Sequence, residues 1–189
     1  MKKLAILTVT FMLALNIGQL NAQDSKNDLT NNVKKEKRIE KRGDRRELRR
    51  LEGTKVSSNS MKSFKIDFAK ATEVNWVRTP NYDIATFNLK NQELKAYYDS
   101  DGLLVGTTQY KKIEDLPEKG QKILREKYKD YSIGKVMYFN NNDINRSPML
   151  LWGIEIVDQS SFFVELANAT KKLVVYVDQG GNVKPFKQL

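Results

Sequence analysis

The chain has 189 residues, with 33 Lys and Arg against 23 Asp and Glu, no Cys and no His. The missing thiols exclude disulfides, thiolate nucleophiles and thiolate metal sites. The missing imidazoles exclude a Ser-His-Asp triad, a Cys-His pair and a conventional zinc site, which leaves carboxylates as the main acid–base groups.

Lys2 and Lys3 open the chain, Leu4 to Leu15 is almost wholly apolar, and Leu20-Asn21-Ala22 puts a small residue before Gln23. This is the layout of a secretory signal peptide over residues 1–22, and its apolar core is shorter than a bilayer span. An uncleaved N-terminal anchor is the alternative. Removing Lys2 and Lys3 takes the net charge from +10 to +8. The mature chain is expected to start at Gln23 and to work in the periplasm or outside the cell.

Residues 23–57 read as a charged linker. Asp24 to Lys55 holds twelve Lys or Arg against seven acids. Glu36, Glu40, Asp44 and Glu47 recur at spacings of four, four and three, so each meets a basic neighbour one turn away on a helix. A solvated, partly helical arm is the expected form, with Gly43 as its weak point. Within Lys34 to Glu52 the only aliphatic residues, Ile39, Leu48 and Leu51, make no apolar stripe. Such an arm is either a soluble spacer or an electrostatic contact, through residues 34–52, with an anionic surface.

The globular part, 58–189, reads as α+β. Asn59 or Ser60 caps a helix over Met61 to Ala69, with Phe64 and Phe68 on one face. Strands follow at Glu73–Arg78, Tyr82–Leu89, Leu94–Asp99 and Leu103–Tyr110. Pro117 then opens a second helix, carrying Ile123, Leu124 and Tyr128 and ending near Lys129. A second set of strands follows at Ile133–Phe139, Leu150–Val157, Phe162–Leu166, Leu173–Asp178 and Val183–Lys187.

The halves, about 58–112 and 113–189, look like copies. Ala96-Tyr97-Tyr98-Asp99 precedes Ser100-Asp101-Gly102, as Val175-Tyr176-Val177-Asp178 precedes Gln179-Gly180-Gly181. The second copy carries about 15 extra residues, an insertion within 140–158 that holds the loop Asn140 to Pro148 and a strand around Trp152.

Strand alternation sorts side chains onto two faces. Ala85, Phe87, Ala96, Tyr98, Val164, Leu166, Val175 and Val177 are expected under the helices. The opposite face takes Ile84, Thr86, Tyr97, Phe163, Glu165 and Tyr176. Ile84, Tyr97, Phe163 and Tyr176, with Trp152 from the insertion, are the candidate binding residues on an exposed sheet face. Aromatic side chains there bring large contact area with few rotors to freeze. Ordinary cross-strand packing is the competing explanation.

Asp99-Ser100-Asp101-Gly102 starts like a calcium loop, but the twelfth position is Tyr110 rather than a bidentate Glu. Gly102 fits the positive-φ position of a hairpin turn, and Asp101 a turn-former. Glu114 and Asp115 sit at a helix N-terminus, where the dipole favours acids. No catalytic residue, metal ligand or cofactor is assigned.

Trp76, Tyr82-x-x-Ala85-x-Phe87, Ala96-Tyr97-Tyr98-Asp99-x-Asp101-Gly102, and Asp115-Leu116-Pro117 before a helix ending in Tyr128 together resemble the PepSY-like family of secreted bacterial proteins. That family is described as similar to the β-lactamase inhibitor protein fold. The resemblance covers about Ser60 to Leu189. It implies tandem helix-plus-antiparallel-strand repeats with both helices on one sheet face, and binding or inhibition of another protein as the function.

Three classes follow: a secreted module that docks a protein or cell-envelope polymer, an envelope protein tethered by its basic arm, and a hydrolase working with carboxylates alone. The missing His and Cys disfavour the third. Nucleic acid is not an expected partner, because export removes the chain from it.

Overall fold

The computed structural model of the protein describes residues 48–156 and 159–189. The expected signal peptide, and the charged arm up to residue 47, lie outside the described residues. From 48 to 57 the chain is not helical.

Among the described residues, two α-helices and ten strands follow in the order α1 (Ser58–Asp67), β1 (Thr72–Arg78), β2 (Asp83–Leu89), β3 (Gln92–Tyr98), β4 (Leu104–Lys111), α2 (Glu118–Lys127), β5 (Ser132–Asn141), β6 (Leu150–Leu151), β7 (Ile154–Glu155), β8 (Ser161–Ala167), β9 (Lys172–Val177) and β10 (Val183–Gln188), with a single 3-10 turn at Ile113–Asp115 before α2. Eight strands form one antiparallel sheet, ordered β1-β2-β3-β4-β5-β8-β9-β10, so the α+β reading holds. The sheet is continuous across the middle, where Gly106 of β4 pairs with Asn141 of β5.

Both helices pack on one face. Phe64 of α1 sits among Ala85, Phe87, Ala96 and Tyr98, and Leu124 of α2 sits among Val136, Phe162, Val164, Leu166, Val175 and Val177. These are the residues that pleat alternation assigns to that face. Ser57 caps α1 by accepting the Asn59 amide at 3.1 Å, two or three positions before the expected cap. In α2 the buried residues are Gly120 and Leu124, and Pro117 stands at the cap.

The same joint ties each helix to its hairpin. Gly102 (φ +74°) turns β3 into β4, and a Cβ there would lie 2.7 Å from the Asn59 Cβ and 2.8 Å from the Ser60 amide. Gly181 (φ +74°) turns β9 into β10, and its Cβ would lie 2.8 Å from the Gly120 amide. Only glycine serves in both respects, because the left-handed backbone and the space beside the helix each exclude a side chain.

One predicted strand is wrong. Leu150–Val157 is not a single strand but the hairpin β6–β7, in which Leu150 pairs with Glu155 and Leu151 with Ile154. Trp152 (φ 51°) and Gly153 (φ 75°) form its two-residue turn, the pair of positive φ angles that a type I′ turn requires.

Candidate functional site

The helix-free face has two halves, and the insertion decides the difference. Met149, Leu151 and Ile156 from the insertion are buried against Tyr82, Val105, Phe139, Phe163 and Val174. Ile84, Tyr97, Leu150, Trp152, Tyr176 and Phe186 pack around them, half-buried. The insertion therefore roofs one half of the face.

This corrects the expectation of an exposed aromatic site. The pleat parity was right, and Ile84, Tyr97, Phe163, Tyr176 and Trp152 do come together, but under cover. Phe163 is 0% exposed. The rings of Trp152 and Phe186 stand 5.7 and 4.9 Å from it, and that of Tyr176 5.7 Å away. The Tyr176 hydroxyl accepts from Ser161 Oγ at 3.0 Å and from the Gln159 side chain. Burial of apolar area drives this closure, since the insertion brings three aliphatic side chains to an aromatic floor.

Polar ties fix the roof. Asp99, 2% exposed, uses Oδ1 to accept the Asp101 and Leu103 amides at 2.9 and 3.0 Å. Its Oδ2 accepts Asn145 Nδ2 at 3.0 Å and Ser147 Oγ at 2.7 Å, both from the insertion. Asp99 is therefore the turn-former, rather than Asp101, which instead meets Arg49 at 3.2 Å. Tyr82 adds a second tie: its hydroxyl donates to the Pro148 carbonyl at 2.8 Å and accepts the Leu150 amide at 2.9 Å.

A second buried carboxylate, Asp83, holds α1 to the sheet. It takes Arg78 Nε at 2.7 Å and Nη2 at 2.8 Å, the Ser57 amide at 2.9 Å and Ser60 Oγ at 2.8 Å. Burial alone would push its pKa up. The Arg78 guanidinium and the Ser57 and Ser60 donors outweigh that and hold it below the usual carboxylate range. With all their oxygens engaged, neither Asp83 nor Asp99 is placed for acid–base chemistry. Among the described residues, no three acids converge as a metal site would need.

The other half of the helix-free face is open. Register places Lys95 opposite Thr108, Thr108 opposite Phe139 and Tyr110 opposite Met137. A cavity of about 60 Å³ lies there, lined by Glu93, Lys95, Tyr97, Thr108, Tyr110 and Met137. Tyr110 is 55% exposed, with the Lys135 ammonium 5.3 Å from its ring centre. At the floor, burial pushes the Tyr97 phenol up, and its hydroxyl shares a 3.1 Å hydrogen bond with Thr108. Tyr110 and Met137 were missed in the sequence, although alternation along β4 puts Tyr110 on the same face as Thr108.

Several solved structures are similar to this chain in fold. A BLIP-like protein from Bacteroides fragilis superposes with a TM-score of 0.57 at 18% identity, over 71% of this chain and 87% of that one. The fold is BLIP-like. The BLIP-like architecture recurs in a DUF2874 family protein from Bacteroides uniformis (TM-score 0.57, 15% identity, 69% and 90% of the two chains). It recurs again in a candidate periplasmic protein from Bacteroides eggerthii (TM-score 0.57, 12% identity, 71% and 88%). No family profile and no curated protein matches the chain, so the PepSY resemblance rests on its residues alone. No helix among the described residues is long and apolar enough to cross a membrane.

Proposed function

We propose that this chain is a non-catalytic binding module of the periplasm or cell exterior, which docks a folded protein on the open half of its helix-free sheet face. One observation carries the reading: a rigid sheet leaves Tyr110 exposed beside Lys95, Lys135 and Met137, on the face that neither helix covers. Exposed aromatics on a fixed scaffold are the usual anchors of protein interfaces. The polar, wet rim suits a partner that also exists free. The BLIP-like fold and the signal-peptide pattern at residues 1–22 support export and binding; Tyr97 lies at the floor of the site, and Phe163, Tyr176 and Trp152 take no part in contact.

The test is a photoreactive phenylalanine analogue placed at position 110, with position 66 on the outer side of α1 as control. Illumination in the native cell envelope is expected to yield one covalent protein adduct from position 110 and none from 66. With that partner purified, Tyr110→Ala should weaken binding by about 2 kcal/mol, the scale of an interface hot spot, while the melting temperature stays put. An adduct from position 66 alone, or an unchanged affinity, would reject the reading.

A further inference from the structure

The small hollow beside Tyr110 has a chemistry of its own. Its side chains share one face by parity: Glu93, Lys95 and Tyr97 alternate along β3, Thr108 and Tyr110 along β4, and Met137 of β5 pairs with Tyr110. Lys95 pairs with Thr108, and Thr108 pairs with Phe139, a residue of the core that the insertion covers, so this is the helix-free face. Leu94 and Gln109 also border the hollow but have the opposite parity, and Leu94 packs in the core under α1. The hollow measures about 60 Å³, a small fraction of the roughly 300–1,000 Å³ that small-molecule pockets enclose. It has room for the tip of one side chain, which a docked protein would supply.

The floor carries a donor without an acceptor. Thr108 is 4% exposed, and its Oγ1 shares a 3.1 Å hydrogen bond with the Tyr97 hydroxyl. Burial pushes the Tyr97 phenol up, so both groups keep their protons. Two hydroxyls that share one hydrogen bond use one proton and leave the other over. Among the described residues no acceptor takes that second proton. Buried donors are ordinarily paired, so a spare one facing a hollow marks the place of an incoming acceptor. The rim adds charge. Lys95 is exposed opposite Thr108, and the Lys135 ammonium stands 5.3 Å from the Tyr110 ring centre. Neither lysine makes an ion pair among the described residues. Glu93, also exposed, is the one acid in the lining, so two ammonium groups stand against one carboxylate.

We propose, resting on the docking reading above, that this hollow receives an Asp or Glu side chain of the docked protein. The carboxylate accepts the spare hydroxyl proton at the floor and lies between Lys95 and Lys135, while the surrounding partner surface packs on Tyr110 and Met137. Hydrogen bonds to a charged acceptor are the stronger kind, and they strengthen as docking excludes water. An apolar tip would strand the buried proton, and a basic tip would meet two like charges. An amide would take the proton but leave both ammonium groups without a counter-charge. Only a carboxylate answers floor and rim together.

The probe is a displayed library of a small folded scaffold with one randomised loop, selected on the purified protein and counter-selected against Tyr110→Ala. Binders that need Tyr110 are expected to share an Asp or Glu in the loop. Replacing that acid by its amide should weaken them about tenfold or more, the scale of a hydrogen bond to a charged group. Against Lys95→Gln, on the exposed rim, the same replacement should weaken them less than about threefold. Thr108→Val removes the floor hydroxyl and should act likewise, and Lys95→Gln carries the test even where Thr108→Val melts early. Lys62→Gln, on the outside of α1, controls for the positive charge of the whole protein and should keep the tenfold loss. Tyr110-dependent binders without a shared acid, no such binders at all, an equal loss on the native protein and Lys95→Gln, or an equal effect of Lys62→Gln would overturn the proposal. The photo-adduct at position 110 decides the docking reading separately, so an adduct alongside any of those results leaves the face standing and removes the acid.

Discussion

Replacing Asp99 by Ala isolates the tie that holds the insertion over the sheet. The carboxylate accepts four hydrogen bonds, two from its own turn and two from Asn145 and Ser147. Asn145 keeps a second acceptor, the Leu103 carbonyl at 3.2 Å, so Ser147, 6% exposed, is the donor left stranded. Hydrogen bonds to a charged group contribute ~1.5–3 kcal/mol each and a stranded buried hydroxyl loses ~1–3 kcal/mol, so a total near 4 kcal/mol follows for Asp99→Ala. The corresponding residue in the second copy, Asp178, supplies an internal control. Its carboxylate serves its own turn, taking the Asn182 amide at 2.9 Å and Asn182 Nδ2 at 2.8 Å, both exposed to solvent. Asp178→Ala should therefore lose only ~1 kcal/mol. Urea unfolding gives both differences, and hydrogen exchange of the amides of Ile144, Ser147 and Leu150 reports whether the roof loosens. At ~2–4 °C per kcal/mol for a chain of this size, Asp99→Ala should melt roughly 10 °C lower. If the two variants lose equal stability, or if exchange in the insertion is unchanged in Asp99→Ala, the tie is not what holds the roof.

Three further outcomes can be checked. Gly102→Ala should destabilise by more than ~2 kcal/mol in urea, because it adds left-handed strain to a 2.7 Å clash with Asn59 Cβ, and Gly181→Ala should do the same against α2. Acid should unfold the protein partly through Asp83. Its folded pKa is depressed, so its contribution is present above the unfolded value near ~3.9 and is lost as pH falls through the folded one. The variant Asp83→Asn is expected to be weaker at pH 7 and to show a flatter loss of stability between pH 5 and 2, followed by circular dichroism. On the alkaline side, burial first and then Asp67 push the Tyr98 phenol far up, so its contribution is full below ~10 and fades as pH rises beyond that. Tyr98→Phe should flatten the stability loss above pH 10, and an unchanged alkaline slope would remove Tyr98 as its source.

Sheet parity was legible in the sequence because a strand has a period of two: Ala85, Phe87, Val164 and Val175 fell under the helices as alternation requires. Gly102 was legible for a similar reason, since Asp-Ser-Asp-Gly between two apolar runs is local turn chemistry. The roof was not. Leu150 to Val157 has the apolar content of one strand, and the Trp152-Gly153 turn that folds it back depends on a tryptophan held at positive φ, which such residues rarely adopt. Its ties are also remote: Tyr82 reaches Pro148 across 66 positions and Asp99 reaches Ser147 across 48. Without those contacts the aromatic floor reads as open surface. Tyr110 escaped notice because it lies near the end of its strand, where exposure is set by whether a neighbouring segment covers it.

The Asp99 tie also bears on how the halves depend on each other. The carboxylate belongs to the first copy and the donors belong to the second, while Gly106 and Asn141 run the sheet across the boundary. The core beneath each helix lies within its own half, but the core under the roof draws on both, with Tyr82 and Val105 from the first and Phe139, Met149 and Phe163 from the second. Cut at the midpoint, each piece would present a raw sheet edge and half of the roofed core to water, so the two halves should melt as a single cooperative block that cannot be traded piecewise.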